Sequence, residues 1–172
     1  MLGRLAVVVV AIAVAAPTVA QPKGEWITDA KSGCKVWTSV PQLDYGISWS
    51  GSCRDGLATG RGVLQWFQAE KKLSQTDCEM VDGKITGRTV VYYTDGSRYE
   101  GEFQDNRYHG HGSLQYANGM RYDGEFHDGL PNGYGTFTGN GRTFAGDWNK
   151  GCFSRGDINI AVVKTLEACG FR

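Results

Sequence analysis

The stretch YEGEFQDNRYHGHGSLQYANGMR (99–121) is followed at once by YDGEFHDGLPNGYGTFTGNGRT (122–143). Tyr99 and Tyr122 lie 23 residues apart, and the same step relates Gly101 to Gly124, Phe103 to Phe126, Gly110 to Gly133 and Gly112 to Gly135. A fixed step of this length marks a repeat architecture. The pattern opens again at Phe144, Gly146, Trp148 and Gly151. One step back from Tyr99 stands Thr76, in a copy where Gly83 and Gly87 keep their places but Cys78 and Met80 replace the glycine and the aromatic. An earlier copy opens at Trp49, with Gly51, Cys53, Gly56, Gly60 and Gly62 on the same offsets and a short insertion near Glu70–Ser74. The copies are therefore 49–75, 76–98, 99–121, 122–143 and a partial 144–151.

Each copy has two turn signals. Asp55-Gly56, Asp82-Gly83, Asp105-Asn106 and Asp128-Gly129 form one set, and Asp95-Gly96, Asn118-Gly119 and Asn140-Gly141 the other. Such pairs accept positive φ and favour two-residue hairpin turns. Between them run short alternating segments such as Arg98-Tyr99-Glu100-Gly101-Glu102-Phe103, with rings and glycines on one face and charges on the other. Each copy reads as a β-hairpin. One hairpin is marginal in water, whereas stacked neighbours bury a shared aromatic row. The expected fold is all-β: stacked antiparallel hairpins, about ten strands, in one long twisted sheet.

Composition agrees. Gly is 25 of 172 residues, Pro only 4, and Trp, Tyr and Phe number 5, 8 and 7, too many rings for a disordered chain. Lys and Arg total 18 against 18 Asp and Glu, so no excess of positive charge points to nucleic acid.

The string Tyr99-Glu-Gly-Glu-Phe, then His109-Gly-His-Gly, closing at Gly119 and Tyr122, resembles the MORN repeat, whose unit opens aromatic-x-Gly and centres on His-Gly-x-Gly. The resemblance is strong over 99–151, good over 49–75 and weak over 76–98. The segments Gly33-Cys34-Lys35-Val36-Trp37 and Trp49-Ser50-Gly51-Ser52-Cys53 resemble the head of exported bacterial members. The resemblance implies protein–protein contact or self-association, with phospholipid binding as the alternative.

Residues 1–20 read as a signal peptide: Arg4, an apolar core from Leu5 to Ala16, and Thr18-Val19-Ala20 as a small-residue cleavage site. Export to a periplasm or outside the cell is expected, and with it disulfides among Cys34, Cys53, Cys78, Cys152 and Cys169. A head segment, 21–48, would place Cys34–Trp37 beside Ile47–Trp49, with a Cys34–Cys53 bridge tying it to the first copy. A C-terminal cap, 152–172, would hold a short helix from Ile158 to Ala168, N-capped by Asp157 and stapled by a Cys152–Cys169 bridge. Cys78 is left as a buried free thiol.

For function, the rings are the lead. Trp66, Tyr93 and Tyr116 share one place in successive copies; Tyr99, Tyr122 and Phe144 share the opening place. Most of these form a packed spine, but a single sheet has no second layer, and an open part of the row would bind a partner. The acids Asp77, Glu100 and Asp123, with Glu79, Glu102, Glu125 and Asp147, form a ladder on the opposite face. Glu102 and Glu125 would lie about 10 Å apart, near the outer limit for an inverting glycosidase pair. Arg98 and Arg121 on the same face make ion pairing the simpler reading. His109 and His111 belong to the repeat motif and lack further ligands at metal spacing. No cofactor, metal or enzymatic activity is expected.

Overall fold

The computed structural model describes residues 24–39 and 44–171; the expected signal peptide, 1–20, lies outside them. The strands are β1 (Glu25–Thr28), β2 (Lys35–Thr38), β3 (Tyr45–Trp49), β4 (Ser52–Arg54), β5 (Leu57–Gln68), β6 (Lys71–Val81), β7 (Lys84–Tyr93), β8 (Arg98–Gln104), β9 (Arg107–Gln115), β10 (Arg121–His127), β11 (Leu130–Gly139), β12 (Arg142–Trp148), β13 (Cys152–Arg155) and β14 (Ile158–Ala161). A 12-stranded sheet runs β1-β2-β5-β6-β7-β8-β9-β10-β11-β12, with β3 and β4 also on β5. From β5 to β12 every strand pairs antiparallel with the next in sequence, as stacked hairpins require.

One row of turns is the expected two-residue kind. Asp82 and Gly83 have φ of 48° and 75°, Asp105 and Asn106 50° and 66°, Asp128 and Gly129 51° and 85°. The second residue of each turn also ties hairpin to hairpin: the N–H groups of Gly83, Asn106, Gly129 and Gly151 donate to the carbonyls of Ala58, Ile85, Tyr108 and Pro131, at 2.9, 3.2, 2.9 and 2.7 Å. On the other side Ala69-Glu70 and Asn140-Gly141 are two-residue turns. At Asp95 and Asn118 the carboxylate and amide oxygens accept the N–H two residues on, Ser97 at 2.8 Å and Met120 at 3.1 Å. That local bond holds them in ordinary φ and makes three-residue turns, a correction to the sequence expectation.

The repeat's glycines divide into two jobs. Gly87, Gly110 and Gly133 have positive φ, and each sits by a register shift in its strand pair. Two places after Gly60, Gly110 and Gly133 stands a glycine that lies under a ring. A Cβ on Gly112 would stand 2.7 Å from Tyr99 Cζ, one on Gly135 2.5 Å from Tyr122 Cζ, and one on Gly62 2.7 Å from Trp49. The ring's polar tip then reaches the carbonyl three residues on: Tyr99 to Glu102 at 3.0 Å, Tyr122 to Glu125 at 3.1 Å, Trp49 to Ser52 at 3.0 Å. The bulge leaves that carbonyl outside the regular ladder, so the ring seats itself and satisfies its own polar atom. Tyr99 and Tyr122 are both 0% exposed.

The 76–98 copy uses another solution. Thr76 replaces the ring, and Cys78 and Thr89 fill the space that glycines leave elsewhere; all three are buried. The copy exchanges one large and two minimal side chains for three of middling size.

Two details of the ends differ from the sequence expectation. The segment after Cys34 pairs with β1, Trp26 opposite Trp37, and not with β3, because Ile47–Trp49 is already paired to β5. The expected helix over 158–168 is absent: Ile158–Ala161 pairs with Cys152–Arg155 as a hairpin, and only a 3-10 turn at Glu167–Cys169 is helical. Ile158, Ile160 and Val162 are β-branched and alternate, which favours a strand. Asp157 lies in the hairpin turn beside Gly156, φ 60°, and caps nothing. Both bridges form, Cys34–Cys53 and Cys152–Cys169, with Cα separations of 5.6 and 5.7 Å. Cys78 is free and buried; burial, aided by Asp77, pushes its thiol up to about 12.

Two outcomes follow from this packing. Gly112→Thr alone destabilises by about 1–3 kcal/mol through overpacking against the Tyr99 ring. In a Tyr99→Thr background the same change costs much less, a coupling that a urea-unfolding double-mutant cycle reads directly; additive values would show that ring and glycine do not share the space. Iodoacetamide applied to unreduced, urea-unfolded protein adds one group by intact mass and none to the native state; four or more additions would remove both bridges.

Candidate functional site

The aromatic face is open where the ring is missing. Over the 76–98 copy lies a groove of about 760 Å³, its floor made by Ser74, Thr76 and Val91 and its walls by Trp66, Tyr93, Phe103 and Tyr108. Trp37 from the head closes one side and Tyr45 another. The groove follows from the exchange described above: a tyrosine at position 76 would project a ring into it.

Its aromatic walls are fixed. Tyr108 stacks on Tyr99 with centroids 3.8 Å apart and planes at 12°, and its phenol is hydrogen-bonded to that of Tyr93. Burial pushes both phenols above their ordinary range, so both are neutral at physiological pH. Trp66 meets Tyr45 edge-on at 5.9 Å. At the rim, Arg107 and Asp128 form an exposed ion pair at 3.6 Å. The arrangement suits an apolar or aromatic side chain, with polar groups only at its edge.

The head that walls the groove hangs on Asp29. Its carboxylate accepts Ser32 Oγ at 2.6 Å, the Lys31 N–H at 3.1 Å and the Trp49 N–H at 3.2 Å. Farther along, Asn106 Nδ2 donates to the Trp37 carbonyl at 2.9 Å while its Oδ1 accepts the Ile85 N–H at 2.5 Å. Asn106 stands where other copies have Gly, and its amide fastens head to repeat.

The six rings expected to bind fall in four places. Trp66 and Tyr93 line the groove. Tyr116 is partly covered by the C-terminal segment, its phenol oxygen accepting the Val163 N–H at 3.3 Å. Tyr99 and Tyr122 have no exposed surface and serve as spine. Phe144 lies opposite Phe137 in a separate shallow depression beside Ile158 and Ile160. The sequence reading missed Trp37, Tyr45, Tyr108 and Asn106. Tyr108 carried a weak signal, since it alternates with Gly110 and Gly112, but its equivalents are Ile85 and Pro131, so no ring recurs at that place.

The charged face is paired. Glu100 takes Arg98 at 2.6 Å and Arg88 at 3.1 Å, which hold its carboxyl below the ordinary range. Arg121 meets Asp123 at 2.5 Å and Arg61 meets Glu79 at 3.8 Å. The carboxylates of Glu102 and Glu125 lie over Gly110 and Gly133. Among the histidines His109 neighbours His127, centroids 5.1 Å apart, while His111 is opposite Glu125. Among the described residues no three His, Cys, Asp or Glu are grouped to hold a metal ion.

Comparison with known families places three segments, 49–67, 99–121 and 122–141, on the MORN repeat, so the chain contains MORN repeats. Those are the three copies in which a ring lies over glycine; the Thr76 copy is not among them. No curated protein matches the chain.

The Asp29 seat has a pH signature. Burial opposes its charge, but the hydrogen bonds from Ser32, Lys31 and Trp49 outweigh this and lower its pKa below 3.8. A lowered carboxyl contributes stability above its unfolded pKa and loses it as pH falls through the folded value. Asp29→Asn therefore costs about 1–3 kcal/mol at pH 7, and the gap to the parent protein narrows at pH below 3.8. Urea midpoints at the two pH values check it; a pH-independent gap would exclude the charge.

Proposed function

We propose that the chain is an exported binding module, without catalysis of its own, that holds a protein partner on its aromatic face. The observation that carries the reading is the groove left where the ring row is interrupted. A decayed repeat would collapse or fill; here Cys78 and Thr89 keep the sheet packed while rigid rings wall the space above it. MORN repeats are protein- or membrane-binding modules, which fits such a surface. The two disulfides fit an oxidising compartment, periplasmic or extracellular.

The rival readings have less support. A phospholipid surface would be drawn by a cluster of basic residues, but the chain has 18 of each sign, and several arginines are paired to acids on the charged face. An envelope hydrolase acting through Glu102 and Glu125 would need an acid and a base flanking one bond; each of these carboxylates instead packs over a glycine of its own hairpin.

The test uses the intact, oxidised chain as bait on the envelope and secreted fractions of the producing cell. A protein is retained by the parent chain and lost at least about tenfold, roughly 1.4 kcal/mol, with Ser74→Phe, which fills the groove floor; circular dichroism confirms that the variant is folded. Pelleting with anionic liposomes at physiological salt, without such a protein, would replace this reading by the lipid one.

A further inference from the structure

The histidines of the chain, His109, His111 and His127, all fall on two neighbouring strands, β9 and β10. The register that sets Gly110 opposite Phe126 and His111 opposite Glu125 brings His109 opposite His127. Their ring centres are 5.1 Å apart. The same cross-strand place holds Thr86 and Gln104 one hairpin earlier, and Asn132 and Asn149 one hairpin later. Two imidazoles therefore meet at the junction between the copies 99–121 and 122–143. They take no part in the core. Tyr108 and Phe126, their neighbours in the chain, pack in the aromatic layer, whereas the His127 side chain is 60% exposed on the charged face.

We propose that His109 and His127 form a two-imidazole chelate for a borderline divalent transition-metal ion of the Cu²⁺, Ni²⁺ or Zn²⁺ class, ions that imidazole suits. An ion held by two imidazole nitrogens at about 2.0–2.1 Å, with a right-angled to tetrahedral spread, sets the ring centres about 4.5–5.5 Å apart. The pair stands at that separation. Asp128 Oδ2 lies 3.4 Å from His127 Nδ1. A carboxylate there fixes the tautomer and leaves Nε2 as the donor to the ion. Glu102, opposite His109 on β8, adds negative charge on the other flank. Neither acid is grouped with both rings as a third ligand, so water completes the coordination and the site is an open one. The two ligands come from different copies. An ion bound by both ties one hairpin to the next on the side away from the aromatic layer, and it stabilises the folded register that brings the rings together. The Cys78 thiol does not compete, because it is buried and held protonated.

The experiment titrates the intact, disulfide-bonded protein with Cu²⁺ by calorimetry and records the electron paramagnetic resonance spectrum of the first equivalent. The expected result is one site per chain, with hyperfine splitting from two nitrogens. His109→Gln and His127→Gln each weaken binding at least about tenfold, while His111→Gln, which removes the neighbouring imidazole, leaves it unchanged. Saturating Ni²⁺ raises the thermal midpoint of the parent and of His111→Gln but not of the other two variants; circular dichroism confirms that all are folded. A one-nitrogen spectrum of the parent would overturn the chelate whatever the variants do. Equal loss in all three variants, loss in only one of the pair, or loss in none would mean adventitious binding and overturn it as well.

Discussion

The structure depends on an aromatic ring lying flat across two strands over a pair of glycines. In the Tyr99 copy the ring covers Gly101 and Gly112, which face each other across β8 and β9. In the Tyr122 copy it covers Gly124 and Gly135, and in the Trp49 copy Gly51 and Gly62. A single sheet has no opposing layer to supply a core, so the core must be made from side chains of the sheet itself, laid down along its surface. Only glycine leaves room for that, and only Tyr or Trp has a polar tip to spend on the carbonyl that the bulge frees. Phe144, which opens the last copy, has no such tip and stays partly exposed; there Trp148 takes the buried place and donates to the Gly135 carbonyl at 3.3 Å. The strict spacing of the repeat is thus a steric requirement: the ring, its two glycines and the bulge carbonyl must all fall within one hairpin.

The constraint also explains why one copy can abandon the pattern. Replacing the ring alone would leave a void, and replacing a glycine alone would produce a clash. Thr76, Cys78 and Thr89 change together, so the sheet remains continuous through β6 and β7. What is lost is the outer layer of ring, and the loss opens the groove above. The thiol of Cys78 is packing material in this arrangement, held as a neutral, inaccessible group.

Much of this was legible in the sequence because the repeat encodes it twice, as a period and as an alternation. The 23-residue step, the Asp-Gly turns and the ring-and-glycine face together fix strand order and inward side. Tyr99 and Tyr122 share the inward face for that reason. The ends were less legible because they occur once. The strand Glu25–Thr28 has no repeating partner to reveal it, and the cap around Ile158 offered an apolar run with a plausible helix start. There the β-branched residues and the neighbouring strand Cys152–Arg155 outweighed the capping signal. The groove was legible only in part. Trp66 and Tyr93 stand at a recurring place, whereas Trp37 reaches the site from the head by pairing to the turn row, a contact between residues far apart in sequence.

The ends matter for function as well as stability. Stacked hairpins expose unsatisfied groups wherever the stack stops, and the carbonyls along the row of turns need partners as well. The chain spends its head and tail on this row, placing main-chain donors on the turns at either end and a buried valine beside each contact. The two bridges hold those segments in place: Cys34 adjoins β2 and Cys53 lies in β4, while Cys152 and Cys169 bracket Val162. Holding the head in this way also sets Trp37 as a wall of the groove.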